Sequence, residues 1–213
     1  MRFSGRSTAL LPIVAAALFG PLMAWRRLGP LDFWWGMSVS VVGLVILSAV
    51  VDKTQRSSLL QDWKEGLAQK IWLGLLSALV LYGVFWAGNA VSRAIFSAAA
   101  KDIGAVYGFK QDASIIRIGL LIVFVIGPGE EFFWRGFLQR RWQKRLGLLS
   151  GWLLAAGFYA LIHIGSGNLM LVLSALVCGL YWGALYTRFR SALLVAVSHT
   201  LWDLLIFVIF PLG

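Results

Sequence analysis

The chain has 213 residues, of which 60% are hydrophobic and 13% charged. Soluble domains carry roughly 25% charged residues, so this composition excludes an ordinary soluble fold and points to a membrane protein in a single domain, residues 1–213. The net charge of +10 would suggest nucleic acid in a soluble chain, but the basic residues lie mostly in short loops between apolar runs. That pattern sets membrane orientation and leaves the lipid bilayer, with no nucleic acid, as the partner.

Seven apolar runs follow in chain order, at approximately 8–25, 33–51, 71–91, 114–138, 148–164, 168–187 and 191–210. Each is close to the 20 or so residues that cross a bilayer. The expected fold is all-α, a polytopic membrane bundle of about seven transmembrane helices. Arg2 and Arg6 ahead of the first run resemble the start of a secretion signal. The apolar stretch is long for a signal, and Arg26-Arg27 follow without a small-x-small cleavage site, so a retained first helix is expected. Within Ser58 to Gln69, Leu59, Leu60, Trp63 and Leu67 recur at helical spacing, and Arg140 to Arg145 follow the fourth run directly. Both stretches suit contact with anionic headgroups. Cys178 is the lone cysteine, which excludes a disulfide framework or a CxxC site.

Taking these spans, twelve Lys and Arg fall on the side of the N-terminus and of the second, fourth and sixth loops, against five (Arg26, Arg27, Arg93, Lys101, Lys110) on the other. The imbalance predicts a cytoplasmic N-terminus and a C-terminus outside. The expected setting is a multi-pass protein of the cell membrane, compatible with a prokaryotic plasma membrane.

Three of the runs carry ionisable groups at bilayer depth: Glu130, Glu131 and Arg135 in Gly127-Pro128-Gly129-Glu130-Glu131-Phe132-Phe133-Trp134-Arg135, His163 after Tyr159, and His199 with Asp203. A charge there costs at least about 2.5 kcal/mol on insertion scales and marks a functional site by default. Glu131 and Arg135 are four apart on a helix and can pair, whereas Glu130 is rotated by about 100° and has no partner at that spacing. Glu131–Arg135 therefore reads as a supporting ion pair and Glu130 as the reactive carboxylate. His199 and Asp203 share a face, and His163 comes from a third helix. One arrangement has Glu130 and a histidine activating water, with the other histidine and Asp203 around a carbonyl or its oxyanion. An ionised Asp203 cannot donate a hydrogen bond, so it either acts protonated or orients His199. Zinc is the alternative, with Glu130, His163 and His199 as candidate ligands, but HExxH is absent and a metal-free water is favoured. Depth sets these residues apart: Glu130 lies about 12 Å in from residue 138, whereas His163 lies about 22 Å in from residue 148. A lone membrane histidine is often only a packing residue, and a Glu–Arg pair can be simple helix glue; the combination of all three motifs is what argues for chemistry.

These motifs resemble those of the CPBP family, the CAAX proteases and bacteriocin-processing enzymes also called Abi, which includes the Ras-converting CAAX endopeptidases. The segment Gly127 to Gln139 is similar to that of bacterial members, and the motif-bearing core spans 114–210. The resemblance implies an intramembrane endopeptidase acting on a membrane protein or peptide. By position, Glu130 would be the water-activating base assisted by His163, His199 and Asp203 would stabilise the oxyanion, and Glu131 and Arg135 would support. The family is often described as metalloprotease-like, although a metal-free glutamate mechanism is also proposed for it. Tyr159 stands where Phe is usual, and Asp203 where eukaryotic-type CAAX proteases have Asn, so no prenyl substrate is inferred. The expected site opens toward the cytoplasm. The alternatives are a membrane scaffold or bacteriocin-immunity protein that binds peptides in the same cavity, and a proton-relaying transporter, for which no repeated span pattern is visible.

Overall fold

The computed structural model describes residues 10–111 and 113–212. Arg2, Arg6 and the beginning of the first expected span lie outside them. The architecture is all-α apart from one minimal hairpin. α1 (Leu11–Trp25) starts with Pro12 in its first turn, where the missing N–H is no loss. It ends at Arg26 in the left-handed region, and the hairpin of β1 (Arg27–Leu28) and β2 (Leu31–Asp32) turns the chain back. The Asp32 carboxylate then accepts the free N–H groups of Trp34 and Trp35 and so starts α2 (Phe33–Val51). Asp52 does the same for α3 (Lys53–Lys64) through Thr54 N–H. A left-handed Gly66 separates α3 from α4 (Leu67–Ile95), and α5 (Ala99–Tyr107) leads into α6 (Ile115–Leu146). α7 (Leu148–Ile162), α8 (Leu169–Phe189) and α9 (Ala192–Ile209) complete the bundle.

Five helices are long and apolar enough to span a bilayer: α2, α4, α7 with its terminal turn to Ser166, α8 and α9. α5 and α6 meet at 88° and together make a sixth, broken candidate. α1 is apolar but has only 15 residues. All seven expected runs thus fall on helices, although five or six rather than seven meet the length and composition of a span. The chain is a multi-pass membrane protein. Its lipid-facing shell is apolar, with Ile46, Val80, Phe124 and Leu161 more than half exposed, as expected when the surrounding solvent is hydrocarbon.

Two boundaries differ from expectation, each for a local reason. The stretch Ser58 to Gln69 is not one interfacial helix: α3 begins at Lys53 and stops before Gly66. Asp62 of α3 has a structural task, accepting from Leu193 N–H at 2.9 Å at the start of α9 and pairing with Lys70 at 2.8 Å. The fourth run does not end near 138 but continues to Leu146. Arg140 prolongs it because Asp52 receives its guanidinium at 2.9 Å, so the charge is satisfied without leaving the helix. Glu130 and His163 are therefore 17 and 16 residues from the tight turn at Gly147, roughly 24–26 Å at 1.5 Å per residue. The depth mismatch disappears.

α6 is the element that positions the site. Its segment Gly127–Phe133 is bracketed by two widened π-turns, Ile122–Ile126 and Trp134–Gln139. Pro128 supplies no N–H and disfavours a regular turn before it, while the carbonyl of Phe132 receives the Gln55 side-chain amide at 3.0 Å. Gly127 and Gly129 allow close approach on two sides. A Cβ on Gly127 would overlap the Thr200 side chain of α9, and one on Gly129 would overlap Val41 of α2.

The end of the bundle carrying α3 and the α6–α7 turn is sealed by polar contacts. Asp52 binds Arg140 and Arg141, and the Thr54 hydroxyl accepts from Arg140 at 3.1 Å. Beside them, Gln143 donates to Thr187 at 2.7 Å and accepts from Arg190 at 2.8 Å. Burial alone would raise the Asp52 carboxyl, but the Thr54 hydroxyl and the two arginines outweigh it and hold it below its ordinary 3.8. Because that shift is downward, the contribution to stability is complete at neutral pH. It fades as pH falls through the carboxylate range and is gone below the depressed value. Asp52→Asn should lower stability by about 2–3 kcal/mol at pH 7, since it strands Arg140. Thermal unfolding in detergent should show the gap between the two proteins narrowing as pH falls below the ordinary carboxylate range.

Candidate active site

Glu130 and Glu131 are adjacent in sequence but face different surroundings. Both are buried, with Glu131 fully so. The Glu131 Oε1 atom accepts from Arg135 Nη1 at 2.7 Å and from His199 Nδ1 at 2.7 Å. The expected Glu131–Arg135 pair is present, and a third partner from α9 joins it. Glu130 instead receives the Tyr159 hydroxyl of α7 on Oε2 at 3.0 Å and lies on the wall of a cavity that Glu131 does not line. The helical rotation between neighbours thus separates a neutralised carboxylate from one that faces open space.

The cavity has a volume of about 280 Å³, and Glu130, His163, His199 and Asp203 all line it. Four side chains from three helices are brought together, as the spacing of the motifs led one to expect. His163 ends α7, and its Nδ1 lies 2.7 Å from the Tyr159 carbonyl. A carbonyl can only accept, so Nδ1 carries the proton and, in the neutral ring, Nε2 is the basic atom. His199 has Nδ1 on Glu131 and Nε2 at a looser 3.4 Å from Asp203 Oδ2.

Several residues that frame the site carry no motif signal. Trp182 of α8 stacks on His199 with ring centres 3.8 Å apart and an interplanar angle of 26°. Its indole N–H donates to Ser198 at 3.2 Å, and Ser198 is in turn held by Ser77 of α4 at 2.7 Å. The Arg135 guanidinium lies over the rings of Tyr159 and Trp182, at 5.1 and 5.6 Å. Both contacts are within the range where ring faces attract a cation. Trp134 and Trp182 are fully buried, unlike Trp72 and Trp86, which are more than half exposed. The abundant tryptophans therefore divide between the lipid boundary and the support of this site. The Tyr159 hydroxyl was visible only as a departure from a familiar pattern; its bond to Glu130 depends on how α6 and α7 pack.

Among the described residues no group of three His, Cys, Asp or Glu is arranged to hold an ion. His199 has both nitrogens facing carboxylates, and His163 has Nδ1 on a backbone carbonyl, which leaves its Nε2 able to accept.

The cavity also has a direction. From the ionisable set it runs past Phe85 and Phe207 to Asn89, Ser92, Tyr107 and Leu212, at the end of the bundle where α4 finishes and α5 lies. The sealed end with Asp52, Arg140 and Arg190 contributes nothing to its wall. The basic loops of α3, the α6–α7 turn and the α8–α9 turn lie at the end from which the cavity extends away.

Residues 112–205 match the family model described as Type II CAAX prenyl endopeptidase Rce1-like. The matched stretch contains all six ionisable residues of the three motifs. No curated protein and no solved structure matches the chain.

Glu131→Gln should be strongly destabilising, by about 3–5 kcal/mol, since it leaves Arg135 and His199 without their shared counter-charge. Tyr159→Phe keeps the ring between Trp134 and His163 and should cost no more than about 1 kcal/mol. Thermal unfolding of the purified proteins in detergent separates the two outcomes.

Proposed function

Because its stretch 112–205 belongs to the CAAX protease family, we propose that the chain is an intramembrane endopeptidase that hydrolyses a peptide bond of a membrane-associated protein or peptide with water activated by Glu130. The observation that carries this reading is the division between the two glutamates. Glu131 is held by Arg135 and His199, while Glu130 faces the cavity with His163 beside it on the wall.

In the proposed reaction, a water between Glu130 and His163 Nε2 loses a proton to the Glu130 carboxylate as its oxygen attacks the carbonyl carbon. The carbonyl oxygen becomes an oxyanion. His199 Nε2–H, only loosely held by Asp203, turns its hydrogen bond to that oxyanion. Asp203 needs no proton for this, since its task is to orient His199 and balance its charge. The glutamic acid then returns its proton to the amine as the C–N bond breaks. The Tyr159 hydroxyl fixes the carboxylate that does this work. The mechanism is metal-free in this proposal, with Glu130 as the base that activates the water. The proposed setting is a prokaryotic plasma membrane.

Cleavage of a membrane-peptide library by the purified protein should fall by about 10²–10⁴-fold in Glu130→Gln and in His163→Ala, with folding retained. Tyr159→Phe should lose roughly 10–100-fold, the worth of one hydrogen bond to a charged group. Chelation should leave the rate unchanged. Unaltered cleavage in Glu130→Gln would overturn the assignment, peptide binding without turnover would favour a scaffold, and zinc-restored activity after chelation would overturn the metal-free water.

A further inference from the structure

We infer that Trp182 is the positioning residue for His199: its indole holds the plane of the imidazole, so that Nε2 keeps one place in the cavity wall. The role in turnover rests on the endopeptidase reading, whereas the hold on the ring stands on its own contacts.

His199 is held firmly at one atom and loosely at another. Its Nδ1 lies 2.7 Å from Glu131 Oε1, while Nε2 is 3.4 Å from Asp203. An imidazole anchored by one strong hydrogen bond can still tilt about the line of that bond, and a tilt carries Nε2 off its mark. The face of Trp182 removes that freedom. The ring centres are 3.8 Å apart and the planes 26° from parallel, a separation at which the carbon atoms of two faces touch.

An indole can do this only if it is itself held. Trp182 has no solvent contact, and the backbone of α8 is fastened on both sides of it. The Leu180 carbonyl accepts the Trp152 indole N–H at 3.0 Å, and the Gly183 carbonyl accepts the Gln139 amide at 2.9 Å. A Cβ on Gly179 would press on the Ala156 backbone of α7, so glycine there lets the two helices meet. At the edge of the Trp182 ring, Nε1–H donates to Ser198 at 3.2 Å, and the Ser77 hydroxyl holds Ser198 at 2.7 Å. Ser198 precedes His199 on α9, so one indole grips two successive residues of that helix, one by its edge and one by its face. Trp202, three residues beyond His199, adds a T-shaped contact at 5.5 Å and 83°. The Arg135 guanidinium lies 5.6 Å from the same indole. Both partners of Glu131 Oε1 therefore rest on Trp182.

The consequence falls on one step. In the proposed reaction Glu130 and His163 handle the water, and both take their geometry from Tyr159. His199 meets the oxyanion, which exists only after attack. Loss of the indole should therefore lower kcat and leave substrate binding nearly unchanged.

The chain has two histidines, so isotope labelling of imidazole rings gives two sets of magnetic-resonance signals, and in His163→Ala only those of His199 remain. Its ring protons should lie upfield of the free imidazole positions, because they sit over an indole face. Trp182→Leu should return them downfield, and Trp182→Phe, which keeps a ring there, should preserve most of the displacement. Undisplaced His199 signals in a protein that retains Trp182 would overturn the proposal, with no substrate needed and no Trp182 variant that has to fold. On a peptide that the wild type cleaves, kcat should fall about 10–100-fold in Trp182→Leu with KM within about twofold, the scale of misplacing a group by about 1 Å. Trp182→Phe should recover most of the loss. Leu44→Ala controls for packing, since Leu44 is fully buried on α2 and does not line the cavity; it should keep kcat near the wild-type value. An equal loss in Leu44→Ala, a rise in KM in place of the fall in kcat, or a Trp182→Phe no better than Trp182→Leu would each overturn the proposal. A wild type without Glu130-dependent cleavage would remove the endopeptidase reading instead, and the His199 signals then decide the positioning by themselves.

Discussion

One oxygen atom organises this bundle. Oε1 of Glu131 receives Arg135 from its own helix and His199 from α9, all three groups being nearly without solvent contact. In hydrocarbon none of them could be present alone, because an isolated ion there costs far more than a fold can spare. Arg135 neutralises Glu131, and the two contacts together fix the rotation of α6 and the approach of α9. Once that rotation is set, the neighbouring Glu130 must face roughly 100° away, which is the side on which Tyr159, His163 and the cavity lie. The ion-paired carboxylate thereby determines where its neighbour points.

The helices that carry the motifs are irregular at the motifs themselves. Glu130 lies between two π-turns, Asp203 is followed at once by another at Leu204–Ile209, and His163 opens a tighter turn at the end of α7. Such departures re-aim side chains and free backbone groups, and they recur at functional sites. They are tolerable in a membrane only where a polar partner is at hand, as Gln55 is for the carbonyl of Phe132. Gln55 thus serves backbone that is irregular where the ionisable residues of the candidate site are presented.

How much of this could be read beforehand follows from the range of each interaction. The Glu131–Arg135 and His199–Asp203 pairs are four residues apart, so helical periodicity exposes them directly. That all six ionisable groups converge follows from their cost in lipid, which no arrangement other than mutual contact relieves. The long reach of α6 was hidden because Arg140 and Arg141 look like the end of a span. They continue the helix only because Asp52, some 88 residues earlier, meets them. Trp182, Ser198 and the Tyr159–Glu130 bond were hidden for the same reason. Each depends on which faces of separate helices meet, and an apolar run with exposed and buried sides of similar hydropathy does not declare its faces.

That last point bears on direction as well as on contacts. Loop charge identifies the two ends of a bundle, and motif spacing identifies the residues in its middle, but neither says toward which end the space around those residues is open. Here the decision is made by bulk. Phe133, Trp134 and Phe137 follow Glu130 along α6 and fill one side, whereas Gly127 and Gly129 precede it and draw α9 and α2 close without filling the centre. A run that places small residues before the reactive glutamate and aromatic ones after it builds a vessel closed on the arginine side. The arginines at that end complete its seal, through Asp52. Closure of that end is therefore the joint work of aromatic bulk on α6 and of one ion-pair network.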